Sequence, residues 1–122
     1  MLQAYSENVE VAALSPVPFN SGAVKKGCTA DISGATIELN RRGVYMVSVD
    51  GTAAASTTIQ LNRDGVALPQ AQSTGTNVSF VTLIQVNRDN TCNCCSSPVS
   101  LQVISETATT FTNINVCVTK IC

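Results

Sequence analysis

Histidine and tryptophan are absent from this 122-residue chain, charged residues make up 12% of it and aromatic residues 4%. Each shortage removes a class of function. Without His there is no usual general base, no Ser–His or Cys–His nucleophile pair and no His-containing zinc site. Seven Lys and Arg against eight Asp and Glu leave a formal net charge of −1, which is not the basic field that nucleic acid or an anionic membrane would require. No run approaches the roughly 18 apolar residues of a membrane-spanning helix, and Met1 to Glu7 have neither the basic start nor the apolar stretch of a secretory leader. A phosphate-cradling glycine loop and a Gly-x-Ser-x-Gly nucleophile elbow are also missing. Glu7, Glu10, Glu38 and Glu106 are too scattered to name as a catalytic pair, and Asp50, Asp64 and Asp89 each sit beside a turn residue as solvated carboxylates. The expectation is a protein that is not an enzyme, needs no cofactor, and binds neither nucleic acid nor membrane.

What the chain does have is 44% hydrophobic residues. With so little charge, its surface must be covered largely by Ser, Thr, Asn, Gln and Gly, an unusual surface for a free monomer. The length suits one domain over residues 1–122, able to bury roughly two thirds of its unfolded surface without disulfides. Residues 1–8 read as a flexible N-terminal arm.

No window carries apolar residues at helical spacing, whereas Val, Ile and Thr recur in short alternating runs between turn residues, so the chain is expected to be all-β. Strands are expected near residues 9–14, 36–39, 44–53, 57–62, 66–71, 77–86, 99–104 and 112–121. Asn62-Arg63-Asp64-Gly65 is the firmest turn, because Asp-Gly tolerates positive φ at both centres of a type I′ hairpin. Asn40-Arg41-Arg42-Gly43 and Ser73-Thr74-Gly75 read as further turns, and Ser15-Pro16-Val17-Pro18 as a rigid extended segment.

The strands divide by how many faces are apolar. The runs 36–39, 58–62 and 99–103 alternate aliphatic residues with Thr, Glu, Gln, Asn or Ser, and so meet water on one side. In the run from Val44, residues Tyr45, Val47 and Val49 share one face while Val44 and Met46 lie opposite. Val78, Phe80, Ile84 and Val86 share a face opposite Val81 and Leu83; Ile114, Val116 and Val118 lie opposite Cys117 and Ile121. This pattern implies a two-sheet sandwich with one sheet covered again from outside, most simply by another subunit.

The residues that carry this pattern resemble a known family. Leu39-Asn40-Arg41-Arg42-Gly43-Val44-Tyr45-Met46-Val47-Ser48, followed by Ile59-Gln60-Leu61-Asn62-Arg63-Asp64-Gly65, resembles the L-x-x-x-G-x-Y-x-V-S and I-x-L-x-x-x-G core of the C1q/tumour-necrosis-factor-like jelly rolls. Pro18-Phe19-Asn20 is similar to the family's early P-F segment. The resemblance implies a ten-stranded jelly roll that forms a tight homotrimer, its inner sheet lining the three-fold axis. Val44, Met46, Val81, Leu83, Cys117 and Ile121 would then form the trimer interface. With no leader, anchor or collagen stalk in sight, the chain is more similar to the bacterial and bacteriophage branch. That branch implies a structural virion protein: a trimeric capsid-decorating or head-fibre protein of a tailed phage, on the virion surface with capsid or other virion proteins as partners. The alternative is a receptor-binding or carbohydrate-binding head of a phage fibre, or a bacterial cell or spore surface protein that takes a host-surface glycan. A sugar site usually needs an exposed aromatic ring to stack on, and Tyr5 and Tyr45 are the only candidates.

Six cysteines remain: Cys28, Cys92, Cys94, Cys95, Cys117 and Cys122. Cys92-x-x-Cys95 followed by Cys117-x4-Cys122 approaches the spacing of a four-Cys zinc site, although the second knuckle is too long. Disulfides formed after release from the cell, a bound zinc ion, and plain packing of small apolar thiols all stay open, and six Cys admit fifteen pairings. Asn77-Val78-Ser79 matches the glycosylation sequon, which a prokaryotic host would leave unmodified.

Overall fold

The computed structural model describes residues 1–19, 22–25, 30–86 and 99–121. These form nine strands: β1 (Leu2–Val11), β2 (Ser15–Pro16), β3 (Gly22–Lys25), β4 (Ala30–Ser33), β5 (Thr36–Leu39), β6 (Gly43–Arg63), β7 (Val66–Val86), β8 (Val99–Ser105) and β9 (Thr109–Lys120). All pairings are antiparallel, and no helix is present among the described residues.

Two sheets arise because β6 and β7 are long enough to serve both. In the first sheet the order is β3-β1-β9, then the first half of β6 and the second half of β7. In the second it is β4-β5-β8, then the second half of β6 and the first half of β7, with β2 adding beside β8. The register shifts between Thr52 and Thr57 on β6 mark where the chain passes from one sheet to the other. The run Ala53-Ala54-Ala55-Ser56 supplies small side chains for that bend, and Gly75 opposite it has φ 137°. A matching irregularity between Thr52 and Ala53 against β9, and Asn8 with φ 51° in β1, carry the same kink across three neighbouring strands.

The core lies between the sheets. Tyr45, Val47, Val49, Ile114, Val116, Val118, Val78, Ile84 and Val86 of the first sheet face Ile37, Leu39, Ile59, Leu61, Val99, Leu101 and Val103 of the second, and all are buried. The Tyr45 hydroxyl, wholly buried, donates to the Arg41 carbonyl at 2.7 Å, which satisfies the one polar atom of a large core side chain. The Asp64-Gly65 turn is as expected: φ is 50° and 84°, and Arg63 pairs with Val66.

Several expectations change. The strand placed at residues 9–14 begins at Leu2 instead and ends at Val11, so residues 2–8 form no arm: they are sheet backbone between β3 and β9, with Leu2 and Ala4 fully buried. Residues 44–53 and 57–62 are one strand, as are 66–71 and 77–86. Ser73-Thr74-Gly75 is therefore a corner within β7 rather than a reversal of the chain, because small and glycine residues bend a strand as readily as they turn it. The short strands β2, β3 and β4 carry too few residues to show alternation. Ser15-Pro16 is indeed extended, and Leu14 and Val17 donate backbone hydrogen bonds to Ser105 and Val103 on either side of it.

Candidate subunit interface

The outward face of the first sheet is built from alternate residues of four long strands and β3. Strand register places Gln3, Cys117, Ser48 and Val81 side by side, and Thr119, Met46 and Leu83 in the next row. Ile121 follows, donating its N–H to the Val44 carbonyl, and Val44 pairs with Gln85. Val44, Met46, Val81, Leu83, Cys117 and Ile121 thus share one surface. Their inward neighbours Tyr45, Val47, Phe80, Ile84, Val116 and Val118 already fill the core, so the outward set has no place inside. Met46 is 39% exposed, Val81 62%, Leu83 57% and Ile121 48%. Val44 and Cys117 are half-buried. No charged side chain falls within these rows.

Along the same face the character changes toward the kink. Tyr5, Asn115, Asp50 and Ser79 form one row, and Glu7, Asn113, Thr52 and Asn77 the next. Asn115 Nδ2 donates to Asp50 Oδ1 at 2.5 Å, and Thr52 Oγ1 donates to Asn77 Oδ1 at 3.3 Å. The face is therefore half apolar and half polar, with Asn115 bonded to Asp50 and Thr52 to Asn77 across the strands. Asp50, read from sequence as a turn carboxylate, lies mid-strand in this row.

The second sheet shows the contrast. Its outward residues are polar, with hydroxyls, amides and the carboxylates of Asp31 and Glu38: Thr58 bonds Thr74 at 2.8 Å, Gln102 Nε2 donates to Thr36 Oγ1 at 3.1 Å, and Asp64 Oδ1 accepts from the Ser100 N–H at 3.0 Å. That surface is made for water.

Two members of the apolar face escaped the sequence reading. Val24, 60% exposed, pairs with Gln3 from the four-residue strand β3, too short to show a period. Tyr5 lay in the expected arm; its ring sits over Gly22, where an added Cβ would come within 2.6 Å of it. Of the cysteines, Cys117 is described and carries a free thiol, while Cys28, Cys92, Cys94, Cys95 and Cys122 lie outside the described residues. Asn20 and Asp89 lie outside them as well.

No family model matches the sequence, and no curated protein matches it. Solved structures do. The globular domain of zebrafish complement 1qA protein aligns over 99% of this chain and 96% of its own, with TM-score 0.74 at 11% identity. PRD1 vertex protein P5 aligns over the same shares with TM-score 0.68 at 14% identity. Rabbit GITRL aligns over 100% of this chain and 95% of its own, with TM-score 0.64 at 9% identity. At these identities the likeness speaks to the fold, and it spans the whole chain: the protein is an all-β sandwich with the C1q/TNF-like jelly-roll fold.

Proposed function

We propose that the protein is a homotrimeric structural protein of a phage virion surface, a capsid-decorating or head-fibre component whose first sheet packs against two further copies. The observation that carries this is the apolar half of the outward face, whose rows hold Val44, Met46, Val81, Leu83, Cys117 and Ile121 and no charged side chain. A Val, Leu or Met side chain moved from water into an interface contributes about 1.5–3 kcal/mol when fully buried, so several of them on one face supply a large drive to associate. The similarity to a vertex protein, PRD1 P5, is in keeping with a virion setting, one of several in which this fold is used.

The glycan-binding alternative gains nothing from the geometry. Tyr45 and Phe111 are wholly buried, Phe19 and Phe80 are buried, and Tyr5, the one exposed ring, lies on the proposed subunit interface. Native mass spectrometry tests the assembly: chains of 12.7 kDa should be found in multiples of three, and Met46→Asp, which puts an unpaired carboxylate in the middle of the face, should abolish that three-fold unit. Co-purification with purified particles tests the setting, and a protein found only free in the lysate would overturn it.

A further inference from the structure

The first sheet carries its acidic and basic residues at opposite ends. Asp50 lies on β6, between β9 and β7, one row along from Ser48, Cys117 and Val81. Two residues along a strand span roughly 7 Å, so this carboxylate borders the apolar rows directly, and it is exposed in the single chain. The basic residues of the sheet lie toward the other end. Arg41 and Arg42 precede β6, Lys120 pairs with Tyr45, and Lys25 pairs with Leu2, whose β9 partner Val118 pairs with Val47. From Tyr45 to Asp50 is roughly 16 Å of strand.

The groups around Asp50 do not offset its charge. Asn115 Nδ2 donates to Asp50 Oδ1 at 2.5 Å, and Ser79 stands opposite on β7, a strand with no charged residue. On β9 the one titratable neighbour is the Cys117 thiol, in the adjoining row; on β1 they are Tyr5 in the same row and Glu7 in the next. The outer strand β3 enters this face through Val24. Among the described residues of these rows, the second charge is thus Glu7, of the same sign.

Cyclic symmetry turns this separation into a property of the assembly. Rotation about a three-fold axis keeps every residue and its copies at one height along the axis. With the axis running along the strands of the first sheet, the Asp50 rows of three copies meet each other, and the basic ends meet basic ends. Taking a carboxylate out of water beside like charges favours its protonated form. Resting on the three-fold reading of this face, we infer that assembly is proton-linked through Asp50: closing the face takes up protons there, so the three-fold unit tightens as pH falls and loosens as pH rises. A carboxylate that holds its proton more tightly in the assembly contributes fully below the range where it titrates in the free chain, roughly pH 4, and that contribution is lost as pH rises above it.

Asp50→Asn keeps an acceptor oxygen for Asn115 and removes the charge, so sedimentation equilibrium of wild type and variant over a concentration series separates the contributions. Between about pH 7.5 and about pH 4.5 the concentration at which half the wild-type chains are in three-fold units should fall about ten-fold. For Asp50→Asn it should be low at both pH values, with the far-ultraviolet circular dichroism spectrum of the wild type. Glu7→Gln, which removes the other carboxylate of this face, should keep the wild-type response. A flat wild-type response, an unchanged response in Asp50→Asn, or its loss in Glu7→Gln instead overturns the role of Asp50 and leaves the trimer standing. Wild-type and Asp50→Asn chains that stay single at every pH and concentration overturn the trimer and the proton linkage together.

Discussion

Asp64 shows how one side chain ties local conformation to long-range order. It occupies the first centre of the type I′ turn with φ 50°, a value that Asp tolerates better than most residues. Its N–H donates to the Ser100 carbonyl, and its carboxylate accepts from the Ser100 N–H and, at 3.4 Å, from the Ser100 hydroxyl, so the hairpin is fastened to β8. Asp64→Ala loses the side-chain bonds and strains the turn, and should cost about 2 kcal/mol in denaturant unfolding. Gly51 is constrained differently, by close approach rather than by dihedral angle. A Cβ there would lie 2.8 Å from the Asn113 carbonyl and 3.1 Å from Ile114 Cα, both backbone atoms that cannot swing aside. Gly51→Ala should force β6 and β9 apart and cost about 1–3 kcal/mol by the same measurement. The Asp-Gly turn was legible in the sequence because the dipeptide itself encodes positive φ. The Gly51 constraint was not, because it is set by a strand more than sixty positions away.

At the scale of elements, β1 is where the sequence reading and the fold part most. Met1 to Asn8 look like an arm because Ser6, Glu7 and Asn8 interrupt the apolar run, yet Leu2 and Ala4 are fully buried and Ser6 is satisfied by donating its hydroxyl to the Pro18 carbonyl at 2.6 Å. Leu2→Ala should therefore destabilise the fold by about 2–5 kcal/mol, a cost that no flexible arm would carry; thermal unfolding decides it. The long strands β6 and β7 illustrate a second limit. Alternation is a local signal, and it marked the halves of each strand correctly, including which residues face the core. Whether Ala53 to Ser56 end a strand or bend it depends on β9 holding the backbone on the far side, which no local window contains.

At the scale of the whole molecule, the two outward surfaces differ in kind. The second sheet presents hydroxyls, amides and carboxylates, whereas the first presents Met46, Val81, Leu83 and Ile121 beside polar rows in which Asn115 bonds Asp50. An apolar face bounded by satisfied polar groups resembles the core and rim of an interface. The Met46→Asp chain should accordingly lose the three-fold assembly yet keep the fold, since Met46 points away from the core; an unchanged far-ultraviolet circular dichroism spectrum beside a lowered native mass is the expected pair of results.

The chain by itself determined the class, the faces and the asymmetry. Period-two alternation separates inside from outside because successive strand side chains point to opposite faces, and the scarcity of charge left an apolar surplus that one sandwich could not hide. Tertiary structure alone decided which strands are neighbours. It gathered Val44, Met46, Val81, Leu83, Cys117 and Ile121 from three distant segments into one patch and brought Val24 and Tyr5 beside them. Those outcomes rest on hydrogen-bonded register between segments far apart in the chain, and register depends on every other strand being in place.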